Sequence, residues 1–257
     1  MRVGLMIGMT ALALAGCASL TGSQADPYLA KGAYDARQAV PPPPPAGSAA
    51  DQRDRAVFLA TRRLKDTPRW SLARQDTHKA AIADAYSCAL GVTPSRQATP
   101  RLAALLRRIG RDVRPAVAAP KRLYDRKRPY QVQPGAICVR SGLVTALTPD
   151  YPSGHATWGW TVGLVLAKAQ PQRSDAILAR ARAYGESRVV CGVHNASSVE
   201  AGRLNAAALV RTLERSPAFT ADLAAVGREL DAARTAGLVP DPARCTAEAA
   251  VLAQRPY

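Results

Sequence analysis

The sequence predicts an all-α protein, a single globular bundle of about seven to nine helices. Three observations lead there: apolar residues recur at three- and four-residue steps along most of the chain, strand-like alternation is nearly absent, and 47% of the 257 residues are hydrophobic. No internal repeat is found, and the length suits one domain with a sizeable core.

In chain order, the first residues, MRVGLMIGMTALALAGCASL, carry one early arginine, an apolar run and then Leu14-Ala15-Gly16-Cys17. That order is a secretory signal over residues 1–16, and its ending resembles a bacterial lipobox in which Cys17 becomes the lipidated first residue. Residues 17–50 are polar and irregular and end in PPPPPAGSAA from position 41. Five prolines make a stiff extended segment, either a tether from a membrane or a strap across the domain.

Residues 51–257 form the helical domain. DQRDRAVFLATRRLKD, RQDTHKAAIADAYSCALG and TPRLAALLRRIGRDVRPAVAAPKRLYDRKRP alternate apolar and charged positions at helical spacing. HATWGWTVGLVLAKA is apolar almost all round, the pattern of a buried central helix, and is short for a bilayer span. SDAILARARAYGESRVVCG, SVEAGRLNAAALVRTLERS and AFTADLAAVGRELDAARTAG complete the set.

A net charge of +16 invites a nucleic-acid reading, but the basic residues are scattered. There is no basic arm, RNP-like aromatic pattern or zinc-finger spacing, so nucleic acid is not expected as a specific partner. Most of the charge is solvated helix surface, and the rest focuses anions into a cleft. Export permits disulfides. Beyond Cys17 stand Cys88, Cys138, Cys191 and Cys245, with three possible pairings and no C-x-x-C motif, so no structural zinc site is expected.

Three short stretches carry candidate chemistry. In PKRLYDRKRPY, Lys121 and Arg128 stand seven residues apart, near two helical turns, and Pro129 forces Arg128 out of regular helix. In YPSGHATWGW, Ser153 is placed to cap the apolar helix. Gly154 lets a backbone N–H approach an anion, and His155 stands at the mouth of that site. In SRVVCGVH, Arg188 has the geometry of a bidentate phosphate ligand and His194 is a candidate nucleophile. Singly, the first reads more readily as a solvated basic face and the third as holding a structural histidine, while the second reads equally well as a helix cap. The chain has only three histidines, however, and two of them fall here.

Taken in order, Lys-x6-Arg-Pro, Pro-Ser-Gly-His and Ser-Arg-x5-His resemble the signature of the type-2 phosphatidic acid phosphatase superfamily. Within it the chain is most similar to the bacterial class A non-specific acid phosphatases, over roughly residues 27–235. The resemblance implies the vanadium haloperoxidase/acid phosphatase type of helical fold and a phosphomonoesterase needing no cofactor or metal. His194 would attack phosphorus and form a phosphohistidine, and His155 would protonate the leaving oxygen. Lys121, Arg128, Ser153, Gly154 and Arg188 would hold the phosphoryl oxygens. The expected partners are small phosphomonoesters and inorganic phosphate, with a lipid anchor on Cys17 as the membrane contact. The location implied is the periplasm, at the outer membrane of a Gram-negative bacterium. Helical members of this kind often pair, so a homo-oligomer is compatible. The expected disulfides are Cys138–Cys191, which would tie the segment after Arg128 to the one bearing Arg188 and His194, and Cys88–Cys245. A vanadium haloperoxidase shares the anion site but is expected to be larger. An integral lipid phosphatase is disfavoured because the signal is the one membrane-length stretch.

After His194 the chain departs from the family pattern. The usual continuation resembles His-Trp-x-Ser-Asp, whereas this sequence has His194-Asn195-Ala196-Ser197-Ser198. The carboxylate expected to orient His194 is thus replaced by Ser198, with Glu200 too far round the helix to substitute. Two expectations follow: impaired turnover that Ser198→Asp would raise, or a catalytically weak phosphate-binding envelope protein on the same fold.

Overall fold

The computed structural model describes residues 26–139 and 148–257. Cys17 and the signal segment lie outside the described residues. Among those described there are no strands and eight α-helices of eight residues or more. They are α1 Ala49–Thr61, α2 Pro68–Gln75, α3 Pro100–Leu123, α4 Gly154–Ala169, α5 Ser174–Val190, α6 Ala196–Leu213, α7 Pro217–Thr235 and α8 Pro242–Leu252. The all-α expectation holds. None of these helices is long and apolar enough to cross a membrane.

Helix starts are written in the sequence. Proline occupies the first position of α2, α3, α7 and α8, where its missing N–H costs nothing. Thr67, Ser216 and Asp241 cap three of them through side-chain oxygens. Ser153 caps α4 by accepting from the Ala156 N–H, as its position before the apolar run predicts.

The apolar helix α4 lies in the middle, packed along α5 and α6. A Cβ on Gly159 would stand 2.3 Å from the Tyr184 ring, so only glycine lets α4 and α5 approach this closely. Around them Tyr86, Leu102, Leu105, Ile109, Val162, Leu166, Ile177 and Leu209 are buried, each contributing about 1.5–3 kcal/mol by leaving water. A buried polar cluster joins α2 to α5: Asp76 pairs with Arg180 and accepts from Ser187 Oγ at 2.6 Å, and Arg69 donates to Ser187 Oγ at 3.0 Å.

The segment before α1 packs against the bundle. The Tyr28 and Leu29 N–H groups donate to Asp112 at 3.1 Å, and Tyr34 Oη donates to Asn205 Oδ1 at 2.7 Å. The prolines then run over the surface, with Tyr151 Oη donating to the Pro41 carbonyl at 2.7 Å. Both expected disulfides are present: Cys138–Cys191, and Cys88–Cys245, which ties α8 to the bundle.

Candidate active site

The three stretches converge at one end of the bundle core, though not by the helical periodicity that the Lys121–Arg128 spacing suggests. Helix α3 ends at Leu123, leaving Lys121 in its last turn. The chain then runs extended to Arg128 (φ −73°, ψ 153°), because Pro129 disfavours helix at the residue before it. Both cations reach the segment just before the Pro-Ser-Gly-His stretch. Lys121 Nζ donates to the Pro149 carbonyl, and Arg128 Nε to the Thr148 carbonyl at 2.9 Å.

Arg188 lies in the last turn of α5 and His194 follows a tight turn through Gly192. Gly192 has φ +76°, and a Cβ there would sit 2.9 Å from the Ala136 carbonyl oxygen, so this turn requires glycine. The end of α5 is held by Arg62, whose guanidinium donates to the Val189 and Val190 carbonyls at 2.9 and 2.8 Å. The Cys138 N–H donates to the Cys191 carbonyl beside their disulfide. The arginine and histidine therefore project from a braced corner.

His194 is 3% exposed, and the partners of its ring fix its tautomer. Nε2 lies 3.2 Å from Arg128 NH1, and a guanidinium can only donate, so Nε2 accepts. Nδ1 then carries the proton and donates to Asp150 Oδ1 at 2.8 Å. Burial, followed by Arg128, Lys121 and Arg188, pushes the His194 pKa well below 6.5, so the ring is neutral with its Nε2 lone pair on the cation side.

The carboxylate expected to be missing is present, on a different segment. Asp150 is fully buried and its oxygens receive hydrogen bonds throughout: His194 Nδ1 and the Asn195 N–H (3.2 Å) on Oδ1, Asn195 Nδ2 (2.9 Å) and the Ser198 hydroxyl on Oδ2. Arg126 stands 3.7 Å away. Burial pushes the Asp150 pKa up, opposed by the Ser198 and Asn195 donors and by Arg126. Three N–H donors on its two oxygens suit the ionised form.

Ser198 was expected beside the imidazole as the residue orienting it; instead its hydroxyl serves Asp150. The reason is that α6 begins only at Ala196, so His194 is outside the helix and the four-residue helical step does not apply. Asn195, the other departure from the family pattern, stands at the N-cap position of that helix without a side-chain cap bond, and its amide helps hold Asp150. Asp54 accepts from the Ser197 N–H at 2.9 Å, so a second carboxylate meets the positive end of α6. Glu200 turns away to pair with Arg203 at 3.1 Å.

Arg188 is buried, and its Nε and NH1 have no hydrogen-bond partner among the described residues. Its pKa is drawn down to about 10 by burial, so it stays charged near neutrality. Unpaired buried donors on a cation leave a place for an anion. His155 opens α4, with Nε2 3.1 Å from the Thr77 carbonyl; a carbonyl only accepts, so Nε2 bears hydrogen. Burial, then Arg188 and Lys79, hold its pKa well below 6.5. Ser153 is buried and anchored by its N–H to the Ser198 carbonyl at 2.8 Å.

Two residues join the site that the sequence did not single out. One is Asp150, two positions ahead of the Pro-Ser-Gly-His stretch, a place that signals a role only once the ring contact is seen. The other is Lys79, whose Nζ lies 4.0 Å from where a Cβ on Gly154 would stand and whose pKa is lowered by burial and by Arg188. A cleft of about 390 Å³ opens there, lined by Lys79, Val117, Gly154 and Trp158 among others.

Two histidines stand beside buried cations at the end of a helical core, and residues 104–218 match the PAP2 superfamily. The chain belongs to that superfamily, among its bacterial non-specific acid phosphatases. It is 36% identical over 212 residues to an acid phosphatase of Zymomonas mobilis, covering 80% of each chain. It is 34% identical over 195 residues to a non-specific acid phosphatase of Providencia stuartii (74% of this chain, 79% of that one). Identity to the Salmonella typhimurium non-specific acid phosphatase is 32% over 196 residues, with coverages of 75% and 78%.

Proposed function

We propose that the protein is an exported acid phosphatase that hydrolyses small phosphomonoesters through a phosphohistidine at His194. The observation that carries this reading is His194 with its Nδ1 held by Asp150 and its Nε2 beside Arg128, in a field of Arg128, Lys121 and Arg188 that disfavours a charged ring. In the first step the Nε2 lone pair forms a bond to phosphorus as the bond to the leaving oxygen breaks. His155, once protonated, gives its proton to that oxygen. In the second step water adds to phosphorus, its proton goes to His155, and the P–N bond breaks to release phosphate and neutral His194. Lys121, Arg128, Arg188, the Ser153 hydroxyl and the Gly154 N–H bind the oxygens whose charge develops between these states. These side chains supply the positive charge themselves, so the reading assigns no metal or cofactor.

His155 needs a proton although its surroundings disfavour one, and a bound phosphate dianion among the same cations reverses that preference. Acidic pH helps His155, while the depressed pKa of His194 keeps the nucleophile free there. That combination suits an acid phosphatase. Full turnover is favoured over impairment, or over a merely phosphate-binding protein, by the Asp150 carboxylate on His194 Nδ1, a contact that supports this reading. Export and lipidation rest on the Leu-Ala-Gly-Cys wording around Cys17, and the two disulfides are compatible with them.

The test is hydrolysis of p-nitrophenyl phosphate at acidic pH, with His194→Ala as control. Turnover abolished by that substitution supports the reading; phosphate binding without turnover by the wild type contradicts it.

A further inference from the structure

At the end of the core, two elements meet across one hydrogen bond. The segment preceding α4 contributes Asp150, and the first turn of α6 contributes Ser198. A second bond, from the Ser153 N–H to the Ser198 carbonyl at 2.8 Å, fixes these two backbones against each other. Ser198 stands where the family pattern places the carboxylate expected to orient the nucleophile. In this chain the carboxylate stands at the opposite end of the same contact and reaches the same ring nitrogen. We propose that Asp150 is the positioning residue for His194, and that positions 150 and 198 are an interchangeable carboxylate–hydroxyl pair whose carboxylate this protein carries on the α4 side.

The geometry supports each half of this statement. Asp150 Oδ1 takes the His194 Nδ1 proton, which leaves Nε2 as the free nitrogen, and Oδ2 is occupied by Ser198 and Asn195. When Nε2 becomes bonded to phosphorus the ring turns cationic, and a carboxylate on the other nitrogen stabilises that charge while the hydroxyl holds the carboxylate still. The pocket has space and donors for one carboxylate. Two would place like charges in contact without water, raising the pKa of one or displacing the ring. A serine at both positions would leave Nδ1 with a neutral acceptor only.

This inference rests on the phosphatase reading for its kinetics but not for its geometry, so the experiment has two independent readouts. The first is kcat and KM for p-nitrophenyl phosphate in the wild type, Asp150→Ser, Asp150→Asn, Ser198→Asp and the double exchange Asp150→Ser/Ser198→Asp. The second is the tautomer of His194, read from imidazole nitrogen shifts at neutral pH. With only three histidines the signals can be assigned by His194→Ala. The wild type should show His194 protonated on Nδ1, a result that requires no variant to fold. Each single change should lower kcat by about 100-fold or more while KM stays within a few fold, on the scale set by removing the aspartate of a serine-protease triad. The double exchange should regain at least tenfold of what Asp150→Ser loses and restore the Nδ1-protonated ring. His194 protonated on Nε2 in the wild type overturns the proposal even if no substrate is turned over. So does an Asp150→Ser variant with unchanged kcat, or a folded double exchange no better than that variant. A wild type with the expected tautomer and no turnover would count against the phosphatase reading alone.

Discussion

A lysine amine enclosed with other cations gives up its proton more readily than one in water. Burial, then Arg128, draw the Lys121 pKa down to about 7. The charge it offers an anion is therefore present below about pH 7 and is lost as pH rises through that value. Tungstate is a dianion throughout that range, so its inhibition constant should rise towards tenfold per unit above about pH 7. The rise should flatten in Lys121→Arg, because arginine keeps its charge; an unaltered slope would show that Lys121 does not face the anion. His155 obeys the same field with a different consequence. Its pKa is depressed partly by Lys79, so removing that charge in Lys79→Met should move the alkaline limb of kcat/KM to higher pH. A limb that stays in place would separate Lys79 from the site. At this scale contiguous motifs were legible: the structure brings Arg128 to His194, and Lys121 and Arg128 to the segment ahead of Ser153, Gly154 and His155, with Arg188 in the field of both histidines. It was misleading for Ser198 and silent on Asp150, because a hydrogen bond between residues 48 positions apart leaves no local pattern.

Helix α5, the Gly192 turn and the Cys138–Cys191 bridge make one rigid corner that carries both Arg188 and His194. The bridge closes a separation of 53 residues, worth about 4 kcal/mol in the chain-entropy account. Cys138→Ser/Cys191→Ser should lose stability on that order in denaturant unfolding and also lower kcat, since the corner holds His194, the proposed nucleophile. Cys88→Ser/Cys245→Ser, which frees α8 far from the histidines in sequence, should cost comparable stability and leave kcat within a few fold. Equal effects of both pairs on kcat would remove the distinction. Helices and their starts were legible here because 3.6-residue periodicity and the Ser/Thr/Asp-Pro starts are local signals. For the residues before α1 the sequence left tether and strap open, since isolated side chains such as Tyr28 and Tyr34 hold that segment and no periodicity marks them.

Over the whole molecule a net charge of +16 favours approach by phosphate esters, and the proposed anion site would gather Lys79, Lys121, Arg128 and Arg188 in one place. Surface pairs such as Arg55–Asp51 and Arg244–Asp84 contribute little to stability. If Cys17 is the lipidated residue, the exported protein sediments with membranes and Cys17→Ser releases it to the soluble fraction. A wild type recovered wholly in the soluble fraction after export contradicts the anchor. Fold class was legible at this scale from periodicity and composition together, whereas the physiological substrate depends on surfaces around the leaving group that no motif encodes.

The central claim is that His194 itself takes the phosphoryl group. The most direct measurement is to mix enzyme and p-nitrophenyl phosphate at acidic pH, quench into alkali, where phosphohistidine survives, and locate the adduct by peptide mass spectrometry. A phosphoryl group on the peptide containing His194, present during turnover and absent from His194→Ala, is the predicted result. Steady turnover with no adduct at His194, or turnover that persists in His194→Ala, would contradict the account.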